Sequence, residues 1–408
     1  MANSASPMHS NTGACMKNRT RDYTLKMHPG CDGNRQTAQR RDEGMLKSQL
    51  AQLEKDLIWK INSFLFFGEG EHMAAPVQSM SFQQAMVLLS HNLYIYDEID
   101  VSSSGVDDQQ IAMLMKHVKG CATPNDLSLT RKSKIHSLYL GYNSISAGGQ
   151  RAIADFLGHH ENNIELLSLC SNDIEHGIEI AKSLQNNARL KELNLHSNHI
   201  SDHGLMEISR SLQSNTTLTF LDVDCNRIHD ESVVVLADCL LNYNSSLTSL
   251  SLADNLIGED GGIALGKVIS KNSTLRYLNI SRNRLGTRGV AAILLGMETN
   301  KTVSRLELSS NDFDDGAAIG IADMLDLNST VKHLKVDHND MTDFGAERIS
   351  KILMFRAKNL QLKTLSCSYN NFTDAGIALL KNFKNCYNCP ITICTFGNGT
   401  ESSASKAR

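Results

Sequence analysis

The chain has 408 residues, and its 40 Lys plus Arg against 44 Asp plus Glu exclude a broad electrostatic footprint for nucleic acid. No run approaches the roughly 18 consecutive apolar residues of a membrane-spanning helix, and residues 1–36 have no apolar core of the kind a secretory signal carries. The ten cysteines, Cys15, Cys31, Cys121, Cys170, Cys225, Cys239, Cys367, Cys386, Cys389 and Cys394, follow no framework spacing, which suits reduced thiols in a cytoplasmic protein.

Residues 1–45 are polar, lack hydrophobic periodicity and carry an excess of Lys and Arg, so a disordered basic tail is expected. From Leu46 the apolar residues Leu50, Leu53, Leu57, Ile61 and Leu65 recur three or four apart along one helical face. A second helix is expected over Phe82 to His91, and a third near Val106 with Ile111, Leu114 and Val118. Between them Tyr94, Tyr96 and Val101 precede Ser104 and Gly105 in the manner of a worn repeat. Residues 46–134 therefore read as a helical N-terminal cap, since a terminal repeat must cover an otherwise exposed hydrophobic end. A separate small helical domain is the alternative.

From Ile135 to residue 382 one unit recurs. Its register marks are Asn143, Asn172, Asn198, Asn226, Asn255, Asn283, Asn311, Asn339 and Asn370, spaced 26 to 31 residues apart. Apolar residues repeat with them, Leu247, Leu250, Leu252 and Ile257 in one unit and Leu190, Leu193, Leu195 and Ile200 in another. A strand has a side-chain period of two, so the leucines of L-x-L point inward and the residues between them outward. The Asn ends the strand, where its amide can satisfy backbone groups of the turn, and nine such turns are expected to stack as a ladder. Four residues later stand Asp202, Asp230, Glu259, Thr287, Asp315, Asp343 and Asp374, most of them good helix N-caps ahead of an apolar helical pattern. Helices are expected to end at Asn215, Asn244, Asn272, Asn300 and Asn328, where Asn tolerates a left-handed closing conformation. These asparagines also form glycosylation sequons, but their period favours a structural role.

Nine strand–turn–helix units in residues 135–382 give an α/β fold, a leucine-rich-repeat solenoid bent into a horseshoe, with a parallel sheet on its inner face and helices outside. The units resemble ribonuclease-inhibitor-type leucine-rich repeats. Their N-x-T-L closures and G-x-x-x-[LI]-[AG] helices are similar to the arrays of nucleotide-binding immune receptors and of the Ran GTPase-activating protein. Residues 383–408 should supply a last degenerate strand, Ile391 to Phe396, and a polar tail.

The motifs that suggest chemistry are weak. Gly261 to Lys267 reads GGIALGK, close to a phosphate loop, but Val268 follows in place of Ser or Thr and the segment falls within a repeat helix. His196, His199 and His203 are spaced like ligands, yet a strand and turn do not converge three imidazoles. Cys386, Cys389 and Cys394 offer three thiols where a structural zinc takes four ligands, so unpaired thiols are the simpler reading. No catalytic constellation, metal or cofactor is expected.

What varies between units is the outward face of the strands. Asp222, Asp224 and Asp254 form an acidic group there, and Arg276, Tyr277, Arg282 and Arg305, followed by Glu307 and Lys335, a basic and aromatic one. Tyr and Arg anchor many interfaces, so these nine residues are the expected concave-face binding site for a protein ligand. The expected activity is a monomeric, non-enzymatic protein-interaction module. The Ran GTPase-activating resemblance offers regulation of a small GTPase as an alternative, and isolated arrays of this kind also resemble bacterial effectors that act inside a host cell.

Overall fold

The computed structural model describes residues 80–90, 97–120, 135–159, 162–356, 359–387 and 391–398. The basic tail, the helix expected from Leu46, and Tyr94 and Tyr96 lie outside the described residues. Eleven three-residue strands form one parallel sheet in chain order: β1 (Glu98–Asp100), β2 (Ser137–Tyr139), β3 (Leu166–Ser168), β4 (Glu192–Asn194), β5 (Phe220–Asp222), β6 (Ser249–Ser251), β7 (Tyr277–Asn279), β8 (Arg305–Glu307), β9 (His333–Lys335), β10 (Thr364–Ser366) and β11 (Thr392–Cys394). Among the described residues one helix, Phe82–Ser90, precedes β1, and a helix separates each later pair of strands, as Asp230–Asn242 does β5 and β6 and Glu259–Lys271 does β6 and β7. The sheet therefore continues beyond residues 135–382 on both sides, with β1 in the segment read as cap and β11 in the C-terminal segment.

All neighbouring strands pair in phase, as Phe220, Leu221 and Asp222 do with Ser249, Leu250 and Ser251. Because the register never slips, like positions form columns across the sheet. The middle residue of each strand from Leu138 to Leu365 is fully buried, and the residues before and after it face away from the helices. Each such leucine contributes about 1.5–3 kcal/mol of hydrophobic burial, and none could be shared by another register.

The asparagine ladder holds the turns. Asn172 Nδ2 donates to Leu140 O of the preceding unit and Leu169 O of its own, both at 3.0 Å, while its Oδ1 accepts from Ile145 N at 3.0 Å. The same pattern recurs at Asn198, with Leu169 O at 2.9 Å and Leu195 O at 3.1 Å. At the N-terminal side Asn143 reaches back to the N–H groups of Ser104 and Val106, joining β1 to the ladder. Asn398 is a tenth rung beyond the nine expected, accepting from Asn370 N and donating to Cys367 O.

Two expectations about the helix ends are corrected. The closing asparagines are not left-handed: Asn272, Asn300 and Asn328 have φ of −70°, −66° and −85°, in extended backbone. Their amides explain the choice of residue. Asn215 donates to Leu184 O at the end of the preceding helix and accepts from Thr217 N and Leu218 N of its own unit, so it ties one unit to the next. Asn215, Asn244, Asn300 and Asn328 are all buried, which excludes glycan attachment in the folded chain.

The acids four residues after the ladder Asn likewise do not cap their own helices. Asp230 Oδ1 accepts from Gly258 N, at the start of the next helix, at 2.5 Å. Asp315 accepts from Thr342 N and Gly345 N, and Asp343 from Thr373 N, in the same sideways manner. N–H groups at these helix starts are thus satisfied by the neighbouring unit. Asp314, one residue before Asp315, is the residue that caps the helix Asp315–Leu327, through Gly316 N.

GGIALGK is helix. Gly261 to Lys267 lies within Glu259–Lys271, which packs on the helix Gly286–Thr299. A Cβ on Gly266 would stand 2.4 Å from Ala292 O and one on Gly262 2.7 Å from Gly289 Cα, so these glycines permit helix contact.

Candidate functional site on the open face of the sheet

The nine residues singled out from sequence fall on the strand face turned away from the helices, in the turns beside it and at a strand entry. Tyr277 and Arg305 share the first outward column, Asp222, Glu307 and Lys335 the second, and Asp224 lies one outward step beyond β5. Asp254 and Arg282 occupy the turn residue just before the ladder Asn, with φ of 53° and 57°. Their side chains approach to 3.8 Å while 52% and 70% exposed, a pairing that contributes little. Arg276 is exposed at the entry to β7, out of phase with the outward positions 277 and 279, and belongs to neither group.

Over β7 to β9 the charges are already paired. Glu307 is buried, its Oε1 accepts from Arg305 Nε at 2.7 Å and Nη2 at 2.5 Å, and its Oε2 accepts from Lys335 Nζ at 3.2 Å. A buried carboxylate is tolerable because both oxygens are engaged by cations. The Arg305 guanidinium lies 5.1 Å from the centre of the Tyr277 ring, an arrangement that fixes the ring against the sheet. Burial, and next the Glu307 charge, push the Tyr277 phenol up to about 12, so it stays a hydrogen-bond donor. Within the expected basic cluster stands a Tyr–Arg–Glu–Lys clamp in which one carboxylate engages two cations, leaving one net positive charge.

Over β5 no ion pair within 4.0 Å engages Asp222 or Asp224 among the described residues, and His196 is the cationic group that acts on Asp222. Burial pushes the Asp222 carboxyl above its ordinary value. Burial and the adjacent Asp222 charge push Asp224 to about 7, against hydrogen bonds from Ser251 and Ala253 N. His196 stands beside them: its ring nitrogen and the two carboxylates all lie within 4.8 Å of one another. The three histidines of the 196–203 stretch do not converge. His203 meets His176 edge-on at 5.5 Å, and His199 is exposed in the turn, its N–H bonded to Ile174 O. Cys394 is an exposed free thiol, while Cys389 and the Cys386 side chain lie outside the described residues.

A groove of about 660 Å³ opens beside the clamp, lined by Arg282, Glu307, Lys335, Asp337, His338 and Tyr369, with serines along its floor and Phe396 at its end. His338 and Tyr369 stack at 4.2 Å and 10°, and Phe396 meets Tyr369 edge-on at 5.5 Å. Phe396 is 74% exposed. His338 and Phe396 lie outside the nine residues expected from sequence. The signal was available: His338 and Tyr369 immediately precede ladder asparagines, and Phe396 stands two before Asn398, one 28-residue period after Asn370.

A family model described as Leucine Rich repeat matches six consecutive segments, 186–209, 214–237, 243–266, 271–294, 299–322 and 327–350. The chain carries leucine-rich repeats. Each matched segment starts near the end of one helix and runs into the next, so the family pattern takes in the closing Asn, the strand and the ladder Asn. No curated protein matches in sequence. Among solved structures, this leucine-rich-repeat chain is similar to an internalin from Listeria monocytogenes at 17% identity, covering 78% of this chain and 88% of that one with a TM-score of 0.45. It is also similar to the actin-binding site 2 of leiomodin-1 at 23% identity, covering 36% of this chain and 86% of that one with a TM-score of 0.33. No helix among the described residues is long and apolar enough to cross a membrane.

Proposed function

We propose that the chain is a non-enzymatic interaction module that holds a protein ligand on the open strand face over β7 to β11. Leucine-rich repeats form protein–protein interaction scaffolds, and the observation that carries this placement is the groove with its exposed aromatic stack. Stacked rings present a large apolar surface with few rotatable bonds, so little entropy is lost when a ligand covers them. The Tyr277–Arg305–Glu307–Lys335 clamp borders the groove and stiffens it, and the serines and Asp337 offer hydrogen bonds to a peptide backbone. An extended ligand segment with an aromatic or arginine side chain over Tyr369 fits this chemistry.

The test is affinity capture followed by titration of the captured protein against variants. Tyr369→Ala with Lys335→Ala should weaken binding at least about 30-fold, as loss of a hot spot does. Phe355→Ala, on a residue 80% exposed on the helix Asp343–Arg356, should leave it unchanged. The reverse pattern would move the site to the helical side.

A further inference from the structure

We propose that His196, Asp222 and Asp224 form a binding site for one zinc-class divalent cation. The inference is independent of the protein-binding groove and rests on donor chemistry, spacing and orientation. One imidazole with two carboxylates is a mixed nitrogen and oxygen set of the type zinc accepts, whereas calcium and magnesium prefer oxygen alone.

The spacing suits an ion better than a direct contact. All three donors lie within 4.8 Å of one another and His196 attracts the Asp222 charge, yet no direct hydrogen bond joins His196 to either carboxylate among the described residues. Two donors sharing one zinc at about 2.0–2.1 Å stand roughly 3.3 Å apart, so small side-chain rotations close the set.

The carboxylates are also held from behind. Asp222 Oδ1 accepts from Asp224 N at 2.9 Å and Asp224 Oδ1 from Ala253 N at 2.6 Å, and Ser251 bonds Asp224 as well. Such outer hydrogen bonds orient metal ligands. The backbone fixes the histidine relative to them, because Leu195 N and Ser197 N bond Asp222 O and Asp224 O on either side of His196. A notch meant only for a partner's lysine would gain nothing from an imidazole, which repels that lysine when protonated. With three protein ligands, the ion keeps a coordination position open toward the face where a ligand would lie.

The test is calorimetric titration of zinc into the full reduced chain, with Cys386, Cys389 and Cys394 replaced by Ser as a second background to remove competing thiols. One zinc per chain should bind in both backgrounds. Asp222→Asn with Asp224→Asn, which keeps the amide oxygens as acceptors, should weaken it by about 100-fold or more, a larger loss than outer-shell changes cause. If that pair fails to fold, His196→Gln alone decides, with its metal-free thermal midpoint as the folding control. Cobalt in the same site should show ligand-field bands without thiolate charge transfer. Absent binding, equal affinity in the variants, or loss only with the cysteine substitutions would each overturn the assignment.

Discussion

Replacing Asn255 by Ala removes one rung from the middle of the ladder. The side chain is buried and makes five hydrogen bonds: Nδ2 to Val223 O, Leu252 O and Ala253 O at 3.0–3.1 Å, and Oδ1 from Asn226 N at 2.9 Å and Ile228 N at 3.1 Å. Leu252 O keeps a donor in Asn283, but Asn226 N, Ile228 N and Val223 O lose their partners. Each buried group left unsatisfied costs about 1–3 kcal/mol, which sets the expected loss at roughly 3–6 kcal/mol after some water entry. Repeat arrays need not unfold as one unit, so the assay is amide hydrogen exchange at Asn226 and Ile228 with urea denaturation alongside. Exchange should accelerate by at least about 100-fold at those two amides, the equivalent of about 3 kcal/mol. A loss below about 1 kcal/mol with unchanged exchange would refute the view that the ladder carries the turns.

Other consequences follow from the same structure. Gly266→Ala should cost about 1–3 kcal/mol, read as a lower urea midpoint, because its Cβ would meet Ala292 O, a backbone atom, rather than a side chain that can turn away. In acid the contacts that Asp202 and Asp108 make to the start of the next helix should weaken. Burial opposes ionisation of Asp202, but hydrogen bonds from Ser232 and His229 outweigh it and hold the carboxyl below 3.8; the Asp108 carboxyl is lowered likewise by Ser146, Gly148 and Gly149. Their stabilisation is complete above the ordinary value and lost as pH falls below about 4, and Asp202→Asn should flatten that part of a stability–pH curve. Asp224 has the opposite sign, since its folded value of about 7 exceeds the ordinary 3.8. In chelator, Asp224→Asn should therefore stabilise the chain by nothing below pH ~4, increasingly up to pH ~7, and by a constant ~1–4 kcal/mol above it.

The parts of the fold legible in sequence were those that every unit repeats. The period-two leucines and the spacing of the ladder asparagines dictate strand phase, because a slip by one residue would turn Leu250 or Leu278 outward. The partners of the polar residues were less legible, since they come from the adjacent unit. Asp230 and Asn272 each look like caps of their own helix, but Asp230 bonds the start of the next helix and Asn272 donates to Leu240 O at the end of the preceding one. The candidate surface suffered from the same limit. Arg305 and Lys335 read as free cations until Glu307 is seen between them, whereas Asp222 and Asp224 read as ordinary surface acids until their burial and lack of an ion pair are seen. His196 and Asp222, 26 residues apart, meet only because their units stack.

The central claim is that the open strand face over β7 to β11 holds a protein ligand, and affinity for the captured ligand tests it most directly. Tyr369→Ala with Lys335→Ala should lower that affinity at least about 30-fold while Phe355→Ala leaves it within about twofold. Unchanged affinity in the strand-face variant, with loss in Phe355→Ala, would contradict the account.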